Sequence, residues 1–303
     1  MFTWRLGYVR IDLTGYSNFS FTMQPQIYPT LLSLFLLTSL SLTAQQAQLQ
    51  PPGNLSVCED QTFQYTITGG TNGLQDATLT LGLPCGITYQ AGSISGGTEE
   101  AIGNLSEPVF ALPEVPAGDT LNLTLQADVS CQALPCIDAG ELFFITAELE
   151  HANGSQGFAS DPFNVETANL LITNGENLYW QGGLNDFVFR ILTVRNTRPG
   201  RVASFEFLDT HVSSISVSSS DGETLVENPD TLLLRFGPQD FAQIGNGDGW
   251  FDFNEELTIR ELVRVVDCAA ETRDALSDLW VRWGCGGSFC QARRANAKVE
   301  IVD

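Results

Sequence analysis

Between Arg10 and Arg190 the chain has no Lys or Arg, and Lys298 is its only lysine. Over the whole sequence 14 basic residues face 36 acidic ones, for a formal charge of -22. A long segment without cations cannot neutralise phosphates, which excludes nucleic-acid binding there. Anionic membrane surfaces are disfavoured for the same reason. The charge instead suits divalent cations, basic partners or plain solubility. Histidine is scarce as well: His151 and His211 are the only two, and neither lies near a Ser or Cys in a nucleophile motif. No apolar run reaches the ~20 residues that span a bilayer.

The longest apolar run is Thr30 to Leu42, closed by Thr43-Ala44-Gln45. Its length and the small residues near Ala44 suit a secretory signal peptide, so residues 1–45 read as a leader. Met23 opens a better-proportioned leader than Met1, and Met1–Thr22 reads as an upstream extension. Everything beyond the leader is expected to be exported, secreted or on the cell surface. Hydrophobic content of 43% and aromatic content of 10% are too high for a disordered chain.

Short alternating runs fill the rest. Thr62–Thr68, Ala77–Leu83, Thr231–Phe236 and Ala297–Val302 each alternate and end at turn residues. In Thr120–Val129, Leu121, Leu123, Leu125, Ala127 and Val129 share one face. In Asp186–Asn196, Phe187, Phe189, Ile191 and Thr193 fall together. Period-2 runs at short spacing predict an all-β chain of antiparallel β-sandwiches. The one helix candidate, itself readable as a loop, is Ala269–Trp280. The expected organisation is a linker over 46–53, one sandwich over 54–166 and a second over 167–303. The second reads as truncated, since the sequence stops in an alternating run and leaves an odd cysteine. An internal repeat supports two similar units: Gly118 to Cys131 resembles Glu255 to Cys268, each an acidic turn, an alternating strand and a Cys.

In an exported chain the seven cysteines, Cys58, Cys85, Cys131, Cys136, Cys268, Cys285 and Cys290, read first as disulfides. Cys131/Cys136 and Cys285/Cys290 are both C-x4-C, and each pair could close a small local loop. Zinc is the sharper alternative, but C-x2-C spacing is absent and no His lies near either pair.

Leu83-Pro84-Cys85-Gly86-Ile87-Thr88-Tyr89-Gln90-Ala91-Gly92-Ser93 follows the strands Thr62–Thr68 and Ala77–Leu83. It precedes Leu112 to Thr120 and the strand to Cys131. In this order residues 56 to 131 resemble the "domain of unknown function eleven" repeats of bacterial surface proteins. The resemblance implies immunoglobulin-like sandwiches in tandem arrays of large adhesin-like proteins. It also implies further repeats of the same polypeptide as neighbours, and it brings no catalytic residues. The second unit matches only loosely, without the LP-G-Tyr segment. The leader ending in Ala-Gln and the cysteine usage look like Bacteroidetes proteins exported across the outer membrane. Pro84 and Gly86 would punctuate a strand end, and Tyr89 would be a core ring.

Gly245 to Glu256 is the strongest chemical motif. Asn246, Asp248, Asp252 and Glu255 fall at positions 3, 5, 9 and 12 of a calcium loop, with Gly249 at 6. Position 1 is Ile244, so Asp240 would have to supply a ligand from outside. The competing reading is a solvated acidic turn. Trp180, Trp250 and Trp283 could form a sugar platform or belong to the core. Gly92-Ser93-Ile94-Ser95-Gly96 places Ile94 where a nucleophile elbow needs Ser. Glu99-Glu100 and Glu255-Glu256 could serve as glycosidase acids, but adjacent carboxylates are more often solvated surface. The expected function is a non-enzymatic structural or adhesive surface module, touching cell-surface glycans or proteins. The alternative is a carbohydrate-binding module.

Overall fold

Alternating sequence becomes strand almost everywhere. The computed structural model describes residues 46–50, 53–100, 103–268, 274–285 and 288–302. The expected leader over 1–45 lies outside them. In the first half the strands are β1 (Gln46–Gln50), β2 (Leu55–Ser56), β3 (Asp60–Thr68), β4 (Thr78–Gly82), β5 (Ile87–Tyr89) and β6 (Thr98–Glu99). They continue as β7 (Val109–Ala111), β8 (Thr120–Val129), β9 (Thr146–His151), β10 (Gly154–Ala159) and β11 (Val165–Glu166). A short helix α1 (Leu134–Asp138) follows β8. The second half holds β12 (Leu170–Glu176), β13 (Tyr179–Gly182), β14 (Phe187–Asn196), β15 (Phe205–His211) and β16 (Ile215–Ser219). After these come β17 (Glu223–Asn228), β18 (Thr231–Phe236), helix α2 (Pro238–Phe241), β19 (Glu256–Val265), β20 (Asp274–Cys285) and β21 (Ser288–Ile301).

Each half is a pair of sheets. The first half has β1-β3-β8-β5 and β10-β9-β4-β7-β6, and the second has β12-β14-β19-β16 and β13-β21-β20-β15-β18-β17. The four-stranded sheets correspond strand for strand, and β8 and β19, the two halves of the internal repeat, take the same place. The longer sheets correspond too, with β13 added in parallel beside β21. Other pairings are antiparallel except β2 with β11. The fold is therefore all-β, with immunoglobulin-like antiparallel sandwiches. Among the described residues no helix is long and apolar enough to cross a membrane.

The cores follow the alternation. Leu123, Leu125, Ala127 and Val129 of β8 are buried against Phe63, Tyr65 and Ile67 of β3. Tyr89 packs edge-on against Phe110 of the facing sheet, ring centroids 5.2 Å apart. Each fully buried side chain of this size stabilises by about 1.5–3 kcal/mol. Gly86 has a φ of +74°, and a Cβ there would run into the backbone of Ala133. That close approach is why the strand end after Pro84 carries glycine.

Two expectations change. Gln46–Gln50, expected within a linker, adds to β3 as an edge strand, Gln46 opposite Thr68. The open edge of β3 offers backbone partners that a local pattern cannot reveal. From residue 274 on, the helix candidate is strand β20, with Ala275, Ser277, Leu279, Val281 and Trp283 all buried. Its period of two wins because β21 pairs along its whole length; residues 269–273 lie outside the described part. Phe187 and Phe189 share a face, as their spacing predicts; it is the outer one, where they are 60% and 56% exposed. The inner face of β14 carries Arg190, Leu192, Val194 and Asn196.

Candidate functional site: the junction clasp and the acidic loop

The two halves meet at the end of β20 and the first residues of β21. Cys285 ends β20 and Cys290 lies on β21. Opposite them in the first half, Cys58 follows β2 with a φ of +73°, and Cys131 opens the 3-10 turn after β8. Ser130 caps that turn by accepting from the Gln132 amide, and its hydroxyl donates to the Gly86 carbonyl at 3.1 Å. Cys58 is bonded to Cys285 and Cys131 to Cys290, across 227 and 159 residues of sequence. Cys85 is bonded to Cys136 within the first half. Cys268 is in no disulfide and is half-buried.

The small C-x4-C loops expected from spacing therefore do not form. Cys131 and Cys136 flank the start of α1 but point to different partners, and Cys285 and Cys290 both face the first half. Sequence spacing could not show this, because the partners become neighbours only when the halves abut.

Charge reinforces the contact. The first half has no cations, and the second supplies Arg198 and Arg201 at the seam. Arg201 pairs with both oxygens of Glu59. Its guanidinium also stacks on Trp250, 4.3 Å from the ring centroid. The hydrogen bonds that Arg201 donates to Glu59 raise its pKa, against the opposing effect of burial. Arg198 reaches the exposed Asp138 at 3.6 Å, a contact of little weight. Buried Asn196 shapes the loop that carries these arginines: its Nδ2 donates to the carbonyls of Gly200 at 2.7 Å and Phe251 at 3.2 Å. Beside the clasp lies a cavity of about 560 Å3, bordered by Asp60, Asp128, Val202 and Trp283. Asp60 and Asp128 sit directly opposite each other on β3 and β8. Burial and then Asp60 raise the Asp128 carboxyl above the usual range, opposed by a hydrogen bond from Gln90.

The acidic loop follows α2, whose Phe241 stacks with Phe205 and Phe251 at 5.8 and 5.3 Å. Asp240 accepts from the Gly237 amide at 2.9 Å and so caps α2. Asn246 Oδ1 accepts from the Asp248 amide, and Asp248 Oδ1 from that of Trp250, at 2.9 and 2.8 Å. Glu255 accepts from the amides of Asn246 and Asp252 with its two oxygens, at 3.0 and 2.9 Å. Asn246 Nδ2 donates to Asp252 Oδ2 at 2.7 Å. The calcium-motif residues are thus drawn into one turn, with their oxygens directed at the turn's own donors. Burial, followed by Asp248 and Glu255, raises the Asp252 carboxyl.

The remaining candidates scatter. Trp283 is 2% exposed, Trp180 packs partly on the core and Trp250 lies under Arg201, so no three-tryptophan platform forms. Glu99 accepts from Tyr89 Oη at 2.8 Å and from the Gly92 amide at 2.6 Å, a tie within the fold. Glu256 lies 3.7 Å from Arg195 on the surface. His151 accepts from the Asn153 amide.

Sequence reasoning missed a buried ionic cluster in the second half. Arg190 of β14 is flanked by Glu261 of β19 and Asp209 of β15, and His211 Nδ1 lies 3.3 Å from Asp209 Oδ1. All four are buried. Arg190 and Glu261 are register partners in one sheet, and Asp209 belongs to the other. The cluster therefore ties the two layers. The signal was present in Arg190, a charge set within the apolar stretch from Phe187 to Leu192.

No family model matches the chain, and no curated protein matches it. Among solved structures, the C-terminal domain of the Streptococcus agalactiae AgI/II polypeptide BspA is similar at 11% identity. That match covers 84% of this chain and 99% of that one, with a TM-score of 0.39. The N-terminal domain of the Streptococcus gordonii adhesin Sgo0707 matches at 6% identity over 80% and 60% of the two chains, TM-score 0.34. The Bacillus cereus major pilin subunit BcpA*(D312A) matches at 9% over 86% and 67%, TM-score 0.33.

Proposed function

We propose that the chain is an exported, non-catalytic module of the cell surface whose work is structural and adhesive. The observation that carries this reading is the clasp. Two disulfides and the Arg201–Glu59 pair join the sandwiches in series and restrain hinging between them, as a spacer requires. Such bonds persist in oxidising compartments, which supports export together with the leader-like run before Gln46. The order of elements resembling "domain of unknown function eleven" repeats supports a place in a tandem array. Neighbours would then be further repeats of the same polypeptide, and partners would be surface glycans or proteins. A glycan array separates this reading from a carbohydrate-binding module. No sugar is expected to be retained. Retention that is lost in Trp250→Ala would replace the spacer reading with a lectin-like one.

Calcium at Asp240, Asn246, Asp248, Asp252 and Glu255 is tested on its own. The gathering of Asn246, Asp248, Asp252 and Glu255 into one turn supports a cation there. A higher melting temperature in calcium than in chelator, absent in Asp248→Asn, is the expected result. Superimposable melts remove calcium from the account of this loop.

A further inference from the structure

The sulfurs of the clasp form one cluster. The Sγ atoms of Cys58, Cys131, Cys285 and Cys290 all lie within 4.8 Å of one another. Between the two disulfides, Cys58 is 3.6 Å from Cys290, Cys131 is 3.5 Å from Cys285, and Cys285 is 3.6 Å from Cys290. Zinc holds thiolates at about 2.3 Å in a tetrahedron, whose sulfur–sulfur edges are then about 3.8 Å. Three edges of the cluster already have nearly that length, and the two bonded edges lengthen once reduced. All four residues are half-buried, so an ion and a small reductant can reach them. Cys58 and Cys131 come from the first half, Cys285 and Cys290 from the second, as in closed structural zinc sites built from two pairs.

We propose that the reduced clasp is a zinc tetrathiolate site. The same four cysteines join the sandwiches through two disulfides when oxidised and through one Zn2+ when reduced. The step balances. Each disulfide takes two electrons and two protons from a dithiol reductant, which closes to its own cyclic disulfide. The four resulting thiols then lose four protons as the ion binds. Nothing in this depends on the adhesive reading above. The spacing in sequence hid the site, because neither half contains more than two of its ligands.

Cobalt is the probe. The full chain is reduced with a dithiol, freed of reductant without air, and titrated with Co2+. One equivalent is expected to bind with the intense visible bands of tetrahedral thiolate coordination, and Zn2+ is expected to displace it. Cys131→Ser should lose the bands, whereas Cys85→Ser/Cys136→Ser should keep them, which places the ion at the clasp. Zinc should also raise the melting temperature of the reduced chain but not of the oxidised one. Absent bands, or equal bands in Cys131→Ser, overturn the proposal. A reduced chain that stays unfolded with zinc present overturns it equally.

Discussion

Replacing Arg190 with Met is expected to lower the free energy of unfolding by about 3–5 kcal/mol. The substitution roughly keeps volume but removes the guanidinium that Glu261 and Asp209 both face. The Asp209 carboxylate and the Glu261 carboxyl would then be left without a cation in a site where all three side chains are almost fully screened from water. Breaking one member of a buried ionic group costs more than the group contributes as a whole, because the remaining charges stay desolvated. The triple variant Arg190→Met/Asp209→Leu/Glu261→Leu is therefore expected to recover most of the loss. Urea unfolding of the single and triple variants checks both statements. A single-variant effect below about 1 kcal/mol would mean that the cluster is wetter than its burial indicates.

The same cluster sets a pH dependence. Burial pushes the Glu261 carboxyl up to about 8, against the pull of Arg190 and with a further push from Asp209. With one cation and two carboxyls, a retained proton on Glu261 keeps the buried group neutral. A carboxyl raised on folding contributes stability that is complete below its unfolded value and lost as pH rises through the folded value. Stability should thus fall between about pH 5 and pH 9, and Glu261→Gln, which stays neutral, should flatten that part of the profile.

Opening the clasp should have an effect of similar size. Replacing Cys58, Cys131, Cys285 and Cys290 together by Ser is expected to cost roughly 5 kcal/mol, since the bonds close very long loops in the unfolded chain. It should also change the form of unfolding. Calorimetry of the wild type should give one transition, and that of the serine variant two, because the Glu59–Arg201 pair and the remaining seam contacts are partly exposed. Cys85→Ser/Cys136→Ser, by contrast, should leave a single transition, because that bond stays within the first half. One unchanged transition in the four-serine variant would show that packing alone joins the halves.

Local patterns were legible where both the pairing and the burial are local. Leu123 to Val129 on β8 and the ring of Tyr89 point inward as their alternation indicates. The correspondence of β8 with β19, visible as a faint repeat, extends in the structure to whole sheets. What stayed hidden depends on distant partners. An Arg in the middle of β14 reads as an outward residue until carboxylates 19 and 71 positions away arrive to meet it. Once Arg190 turns inward, the period of two forces Phe187 and Phe189 outward. The disulfide pairing was hidden for the same reason, as C-x4-C spacing suggests local loops while the real partners sit in the other half. The acidic loop was legible as a turn with calcium-like spacing, but not in how it saturates its own amides.

Thiol counting on the protein from its native source bears most directly on the claim of an exported, covalently clasped pair of sandwiches. Denaturing alkylation with a mass-tagged maleimide, before and after reduction, reads the free cysteines directly. One tag before reduction, at Cys268, and seven after it are expected. Seven tags before reduction, on protein recovered from inside the cell, would contradict both the compartment and the clasp.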